Sequence, residues 1–254
     1  MITHQLARSL PLMDPTIALH KPIDPCEHSP LIRGLVLSLN YAVEHGGIGL
    51  TPSGAMNRKF VTFAANAFNW PGYTAKELLR VNKVLDEHKM PPLEPIHASL
   101  RHFKLVRRYK DKLRITKLGK TMLKDPQDLF DLAAPVYLYR FQHAPPARRQ
   151  DYLAQFWHVF LNVLNLEAEA GCTVQDLMRI LYGFEDTDYR ALTYCESRLE
   201  LKYDILKPLC WLGILRKDRE GRDLLEDGIY YKTPLWYAAL HLESDPEVGL
   251  RRLS

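Results

Sequence analysis

The sequence has few cysteines, and their spacing excludes the common cysteine-based sites. Four occur among 254 residues, at Cys26, Cys172, Cys195 and Cys210, and no two form a Cys-x-x-Cys pair. Such a sparse set indicates no disulfide framework in a chain of this length. Cys195 and Cys210 stand among apolar residues, where a free thiol serves as a small core residue. We therefore expect a reducing compartment, the cytoplasm.

Long apolar runs are also missing. The longest candidate, Leu31 to Val43, is interrupted by Arg33 and Asn40, whereas a membrane-spanning helix needs about 20 apolar residues. The N-terminal Met1-Ile-Thr-His lacks a basic region followed by an apolar block, so no secretion signal and no membrane association are expected. With 46% apolar and 25% charged residues, the composition predicts a folded protein of two compact units.

Motifs of common catalytic and metal sites are missing as well. The run His45-Gly-Gly-Ile-Gly has no Gly-Lys-Ser/Thr after it and is no phosphate-binding loop, and no Gly-x-Ser-x-Gly or His-Glu-x-x-His motif occurs. The densest set of metal-ligating residues, Cys26-Glu-His28 with His20 upstream, lacks the paired spacing of a structural zinc site. We expect a non-catalytic protein with no metal and no cofactor.

Positive charge is present in abundance, and it is concentrated in one place. The stretch Arg101 to Lys124 holds ten of the 34 Lys and Arg residues against one acid, Asp111, so its net charge is +9 (10 − 1). The whole chain is +4, and the remaining residues therefore sum to −5 (24 − 29). A local positive field of this kind attracts a polyanion to one face of a protein.

The basic stretch has the pattern of a β-hairpin. Leu105-Val-Arg-Arg-Tyr and Leu113-Arg-Ile-Thr are short strands around a charged turn, with Leu113 and Ile115 expected to face the core and Arg114 the solvent. A short helix, Leu93 to Phe103, is predicted directly before it. A basic hairpin after a short helix is typical of the wing of a winged-helix domain.

The whole chain is predicted to be mostly α with short β hairpins, as two winged-helix units joined by a helical middle segment. The predicted boundaries are an N-terminal arm at 1–30, a first winged-helix unit with a basic wing at 31–125, a helical connector at 126–170 and a second winged-helix unit with an acidic wing at 171–254. An internal echo supports the repeat: Phe103-Lys-Leu-Val-Arg parallels Leu212-Gly-Ile-Leu-Arg, and Ile115-Thr-Lys-Leu-Gly parallels Lys232-Thr-Pro-Leu-Trp.

Periodicity gives further expectations within these boundaries. Helices are predicted at Met56–Asn66 and Ala75–His88, and Trp157 is expected in the core on the apolar face of another helix. Tyr137, Tyr139 and Phe141 alternate as in a strand. Exposed rings in such a strand could stack on single-stranded nucleic acid, although core packing is the more common role.

The sequence resembles a group of uncharacterised bacterial proteins of the kind found near SEC-C or plasmid-ORF-like modules. The resemblance covers about residues 31 to 240. Its residues are Leu50-Thr-Pro-Ser-Gly to Asp125-Pro126, with Pro92, His97, Leu100, Leu105-Val-Arg-Arg and Ile115-Thr-Lys-Leu-Gly inside, then Leu206-Lys-Pro-Leu-Cys-Trp-Leu-Gly-Ile-Leu and Tyr231-Lys-Thr-Pro-Leu-Trp. It implies a tandem winged-helix architecture and a bacterial or mobile-element origin, and it implies no chemistry.

DNA binding is the function that these patterns favour, in a transcriptional regulator or a DNA-linked accessory protein of a bacterium, plasmid or phage. The hairpin would contact phosphates and the preceding helix base edges. The residues predicted to bind are His97, Arg101, His102, Lys104, Arg107, Arg108, Lys110, Lys112, Arg114 and Lys117.

A second interpretation stays open, a protein–protein adaptor or inhibitor in a defence or toxin–antitoxin setting that grips an acidic partner. The second predicted wing, Lys217 to Asp227, holds three basic residues and five acids, and phosphate would repel it. The second unit is therefore expected to form a homodimer or to contact a protein partner.

Overall fold

The structure, a computed structural model, describes residues 15–141, 143, 156–185, 191–218 and 228–251. The fold is mostly helical with small antiparallel sheets, which confirms the predicted fold class of α-helices with short hairpins. The chain forms two compact units. The first unit is Pro22–Tyr137, and the second contains the described residues of 15–21 and 138–251. The finer division into arm, two units and connector stays a prediction.

The first unit is built largely from helices. In chain order it contains α1 (Pro25–His28), α2 (Pro30–Glu44), α3 (Arg58–Ala67), α4 (Ala75–Val81), α5 (Leu93–His102), α6 (Lys117–Met122) and the greater part of α7 (Pro126–Tyr139). Polar side chains cap their first turns: the Ser29 hydroxyl accepts the Ile32 N–H at α2, and the Asn57 side chain accepts the Phe60 N–H at α3. The cap at Asn57 explains why the helix predicted at Met56–Asn66 begins at Arg58.

A small antiparallel sheet completes the first unit, and it contains the predicted hairpin. Its strands are β1 (Ile48–Gly49), β2 (Val106–Tyr109) and β3 (Lys112–Ile115), in the spatial order β1-β3-β2. Leu113 of β3, 2% exposed, pairs with Ile48 of β1 and anchors the hairpin to the core. Lys110 lies in the turn between β2 and β3 with φ of +55°, in the left-handed region typical of tight hairpin turns.

The second unit, like the first, has several helices, then a β-hairpin, then further helices. Its elements are α8 (Trp157–Glu167), α9 (Val174–Tyr182), α10 (Leu192–Glu200), a π-helical segment (Leu201–Leu206), α11 (Lys207–Leu212), β4 (Leu215–Asp218), β5 (Ile229–Lys232), α12 (Pro234–Ala239) and α13 (Asp245–Arg251). Cys172 forms an isolated bridge with Tyr230 of β5, whereas β1 of the first unit forms two residue pairs with β3. No helix in the described ranges has the length and the apolar character that crossing a bilayer requires.

Three local predictions were wrong. Cys195 and Cys210 were expected in the core, but Cys195 is exposed and Cys210 is only partly buried. The helix predicted at Ala75–His88 ends at Val81, because the extended Asn82 turns its side-chain amide back onto the Leu78 carbonyl. Val81 is 79% exposed, so the apolar periodicity that favoured a longer helix has no core to face.

The alternating aromatic residues do not form a strand. Tyr137 and Tyr139 lie in α7, and Tyr137 is 1% exposed. The apolar residues of α7 recur at intervals of three and four, which is the helical period, and this signal outweighs the alternation. Core packing therefore explains Tyr137.

Candidate nucleic-acid interface

The outer face of the hairpin places three of the predicted basic residues on the same side as Tyr109. Arg107 is directly opposite Arg114, and Tyr109 is directly opposite Lys112. Since opposite residues of an antiparallel pair share a face and neighbours along a strand alternate, these four side chains lie on one side. Leu113, on the other side, is buried. The predicted orientation of Leu113 and Arg114 is thus confirmed.

The opposition of Arg107 and Arg114 is electrostatically unfavourable in the free protein. Both side chains are exposed, and like charges directly opposite one another destabilise an antiparallel pair. The Arg114 guanidinium lies 4.3 Å from the centre of the Tyr109 ring, which orients it but leaves its charge in place. A bound anion would relieve the repulsion between the two arginines.

The remaining basic residues lie around the ends of the hairpin. Arg108 is exposed on the opposite face from Arg107, and its Nε donates to the Lys110 carbonyl at 3.4 Å. Lys104, exposed, connects α5 to β2 with φ of +53°. Lys117 is exposed in the first turn of α6, the end of a helix where a cation is disfavoured and an anion is favoured.

Neighbouring carboxylates do not neutralise this charge. In the part of the chain that the structure describes, no ion pair within 4.0 Å involves any of eight predicted residues, Arg101, Lys104, Arg107, Arg108, Lys110, Lys112, Arg114 and Lys117. The only acid in the turn, Asp111, is exposed and joins none of these pairs. The hairpin therefore presents uncompensated positive charge to solvent.

His97 has a different environment from the other predicted residues. Its Nδ1 lies 2.6 Å from a carboxylate oxygen of Glu87, and the two side chains are only 15% and 11% exposed. The second carboxylate oxygen of Glu87 accepts the backbone N–H of Met56. His97 thereby fixes α5 against the turn before it. The predicted contact between His97 and a base edge stays a prediction, with one ring nitrogen already engaged.

The exposed face of α5 carries residues of mixed chemistry. Glu94, Ala98 and Arg101 are exposed, whereas Leu93, Ile96 and Leu100 on the opposite side are buried. The three exposed residues line a shallow cleft of about 400 Å³ together with Glu87, His88, Pro91 and His97. The predicted residue His102 is exposed at the end of α5, with its ring edge-on to Phe103 at 4.9 Å.

Sequence patterns missed three residues of this surface. Tyr109 could have been found, because it shares the alternation of Arg107 and Arg114. Glu94 and Ala98 could have been found, because they lie seven and three residues before Arg101 and therefore share its helix face. None of the three residues is basic, and a search for phosphate-binding side chains therefore did not select them.

The second hairpin has the same register with different electrostatics. Arg216 is directly opposite Tyr231, as Arg107 is opposite Arg114. The Arg216 guanidinium stacks 4.5 Å from the centre of the Tyr231 ring and forms an ion pair with Asp218. The charge of Arg216 in the second hairpin is therefore paired, whereas, among the described residues, the charge of the corresponding Arg107 in the first hairpin is not. Most of the predicted acidic wing, 219–227, lies outside the described residues.

The buried ammonium group of Lys232 in the second unit forms hydrogen bonds and an ion pair with its neighbours. The Lys232 ammonium donates to the backbone and side-chain carbonyls of Asn165 at 2.8 and 3.0 Å, and it pairs with Glu169 at 2.5 Å. The Trp236 indole N–H donates to the same side-chain oxygen of Asn165 at 3.1 Å. Such a satisfied network links β5 and α12 to α8, which is a structural role.

The cysteine and histidine residues weighed as metal ligands belong to different units. Cys26 and His28 lie in α1 of the first unit, and His20 belongs to the second unit, where it stacks on His241 at 3.8 Å. Burial and the nearby Asp24 raise the pKa of the Cys26 thiol to about 11, which keeps the thiol protonated. Among the described residues, no three His, Cys, Asp or Glu side chains gather into a metal-ligand group.

Comparison with known proteins identifies both halves of the chain. Residues 27–128 match the Y4jL N-terminal domain, and residues 147–234 match the y4jL C-terminal domain. The chain is 45% identical over 196 residues to the "Uncharacterized protein y4jL" of Sinorhizobium fredii (strain NBRC 101917 / NGR234), which covers 76% of this chain and 89% of that protein. No solved structure matches the chain. The expected resemblance to an uncharacterised bacterial two-domain group is confirmed, and the chain belongs to the y4jL family, with both its N-terminal and its C-terminal domain.

Proposed function

We propose that the protein binds duplex DNA through the first unit, as a transcriptional regulator or another DNA-linked accessory protein. The hairpin β2–β3 contacts the phosphate backbone, and the exposed face of α5 lies against the major groove. Lys104 and Lys117, at the ends of the hairpin, extend the phosphate contacts. The second unit, in which Arg216 is paired with Asp218, serves self-association or a protein partner.

The order of elements supports a winged-helix interpretation of both units. In the first unit α2, β1, α3, α5, β2 and β3 follow one another, with β3 between the other two strands. The helix before the hairpin is the one that enters the groove in helix-turn-helix proteins, and the hairpin is then a wing beside it. The segment with α4 is an elaboration between the second and third helices of this arrangement.

The observation that carries the proposal is the unneutralised opposition of Arg107 and Arg114. Protein stability alone does not favour two exposed arginines directly across a strand pair. Phosphate oxygens accept charge-assisted hydrogen bonds from guanidinium groups, and the release of condensed counterions makes such contacts favourable. The corresponding pair in the second unit, Arg216 and Tyr231, lacks the repulsion. The first hairpin thus presents an unneutralised arginine pair that could bind phosphate, and the second hairpin does not.

The test is binding to a fluorescently labelled mixed-sequence duplex, followed by anisotropy over a range of salt concentrations. If about five phosphates are neutralised, the logarithm of affinity falls with the logarithm of salt concentration at a slope of roughly −4 to −5. The double variant Arg107→Glu with Arg108→Glu should lose most of this affinity and salt dependence. Because both side chains are exposed, the circular dichroism spectrum and the melting temperature should stay close to those of the unaltered protein.

The matched control makes the same charge change at the equivalent positions of the second hairpin, Arg216→Glu with Lys217→Glu. This control should bind the duplex nearly as well as the unaltered protein. Equal losses in the two double variants would mean that net charge, and no specific hairpin, determines binding. Absence of binding by the unaltered protein at about 50 mM salt would reject the proposal and favour the adaptor that grips an acidic protein.

A further inference from the structure

We propose that the first unit reads DNA sequence through Glu94, Ala98 and Arg101, and that Glu94 selects a cytosine. This inference rests on the proposed function, since it requires α5 to lie in the major groove. It adds base specificity to a surface whose basic residues would by themselves bind any sequence.

The three residues form one continuous strip on α5. They are spaced by four and three positions, all are exposed, and the buried residues of α5 lie on the other side. Seven residues of helix rise about 10 Å, which is the length of roughly three base-pair steps. The pair between His97 and Glu87, with the Met56 N–H on the same carboxylate, holds α5 in place beside this strip.

The acid in the strip is the informative residue. A carboxylate is repelled by phosphates, and a surface that recognised only the backbone would gain nothing from it. Two bases carry an exocyclic amino donor on their major-groove edges, cytosine and adenine. In adenine the N7 acceptor lies beside that donor and repels a carboxylate, so cytosine is the better partner for Glu94. Arg101, seven residues along, matches the O6 and N7 acceptors of guanine. Ala98 between them is small, so the helix can approach the bases closely, and its methyl group suits a thymine methyl.

The experiment is repeated selection from a randomised duplex library by the full-length protein, with sequencing of the bound fraction. The unaltered protein should enrich a motif that contains a cytosine and a guanine a few base pairs apart. Glu94→Ala should lose the cytosine preference, a change of about 10- to 100-fold, while its binding to unrelated duplex becomes tighter. Arg101→Ala should lose the guanine preference by a similar factor.

Matched controls are Glu196→Ala, an exposed acid on α10, and Arg58→Ala, an exposed arginine on α3, which should leave the motif unchanged. The inference is overturned if the protein binds duplex but enriches no motif, or if Glu94→Ala selects the same motif as the unaltered protein. Failure of the unaltered protein to bind any duplex contradicts the proposed function itself, and this inference with it. The two failures are therefore distinguishable.

Discussion

Lys104 and Gly213 occupy the same backbone position in the two units. Both have positive φ, +53° and +85°, at the junction between a helix and the first strand of a hairpin. The Lys104 carbonyl accepts the Thr116 hydroxyl at 2.8 Å, and the Gly213 carbonyl accepts the Thr233 hydroxyl at 2.7 Å. The echo between the two sequence segments thus corresponds to one shared local structure.

This equivalence predicts the effect of a glycine at position 104. The left-handed region costs an L-residue about 1–2 kcal/mol, and glycine avoids this cost. Part of the benefit is lost because glycine increases the entropy of the unfolded chain. Lys104→Gly should therefore raise the free energy of unfolding by about 0.5–1 kcal/mol in urea denaturation. Lys104→Ala, which removes the charge but keeps the strain, is the control and should give no gain. Gly213→Ala should lower stability by about 1–2 kcal/mol, and an unchanged value would contradict the equivalence.

One substitution should give the first hairpin the carboxylate that pairs with arginine in the second hairpin. Tyr109 is the position that Asp218 holds in the second hairpin, so Tyr109→Asp should place a carboxylate beside Arg107 as Asp218 lies beside Arg216. We expect the slope of the salt dependence of DNA binding to become shallower by roughly one to two units. Tyr109→Asn serves as the uncharged control and should change the slope much less. An identical slope in both variants would show that Arg107 does not contact phosphate.

Arg33 stabilises the start of the first unit through backbone carbonyls. Its guanidinium donates to the carbonyls of Cys26 and Phe68 at 2.9 Å and of Asn69 at 3.2 Å, and so joins the ends of α1 and α3. Arg33→Lys keeps the charge but cannot form this planar fork, and it should lower the free energy of unfolding by about 2–4 kcal/mol. Arg58→Ala, at an exposed position, should change it by less than about 0.5 kcal/mol. Equal stability of Arg33→Lys and the unaltered protein would refute this role.

Trp157 is confirmed as a core residue, at 2% exposure. Its ring meets the Phe160 ring edge-on at 6.4 Å within α8. Trp157→Ala should therefore create a cavity and lower stability by about 3–5 kcal/mol in denaturant unfolding. Trp157→Phe, which retains most of the contact, should have a clearly smaller effect. A loss below about 1 kcal/mol for the alanine variant would be incompatible with the buried position.

Asp176 gives the second unit a defined response to acid. Hydrogen bonds from the Thr173 side chain and backbone, and then the charge of Arg179, hold the pKa of the Asp176 carboxyl below its usual value. A depressed folded-state pKa contributes stability that is present above the unfolded-state pKa of about 3.9 and is lost as pH falls through the folded-state value. Stability measured between about pH 5 and pH 2 should therefore decline less steeply in Asp176→Asn. The same decline in both proteins would exclude this linkage.

Local sequence signals predicted the hairpin and several of the helices. The hairpin at 105–116 follows from strand alternation around a charged turn. Thr116 and Thr233, which stand at matching places in the two echoed segments, each cap the helix that follows. Two distant contacts were beyond such signals. Glu87 meets His97 and Met56 only because the turn after α4 brings the three together, and no spacing rule specifies that turn.

The amino-acid order alone was sufficient to specify mostly helical units, a basic hairpin and an excess of positive charge between Arg101 and Lys124. Which of those charges share a face, and which are neutralised, depended on the folded chain. Strand register places Arg107 against Arg114 but Arg216 against Tyr231, with Asp218 beside it. The reason is physical: propensities and caps act over a few residues, whereas Coulomb interactions depend on distances that only register and packing fix.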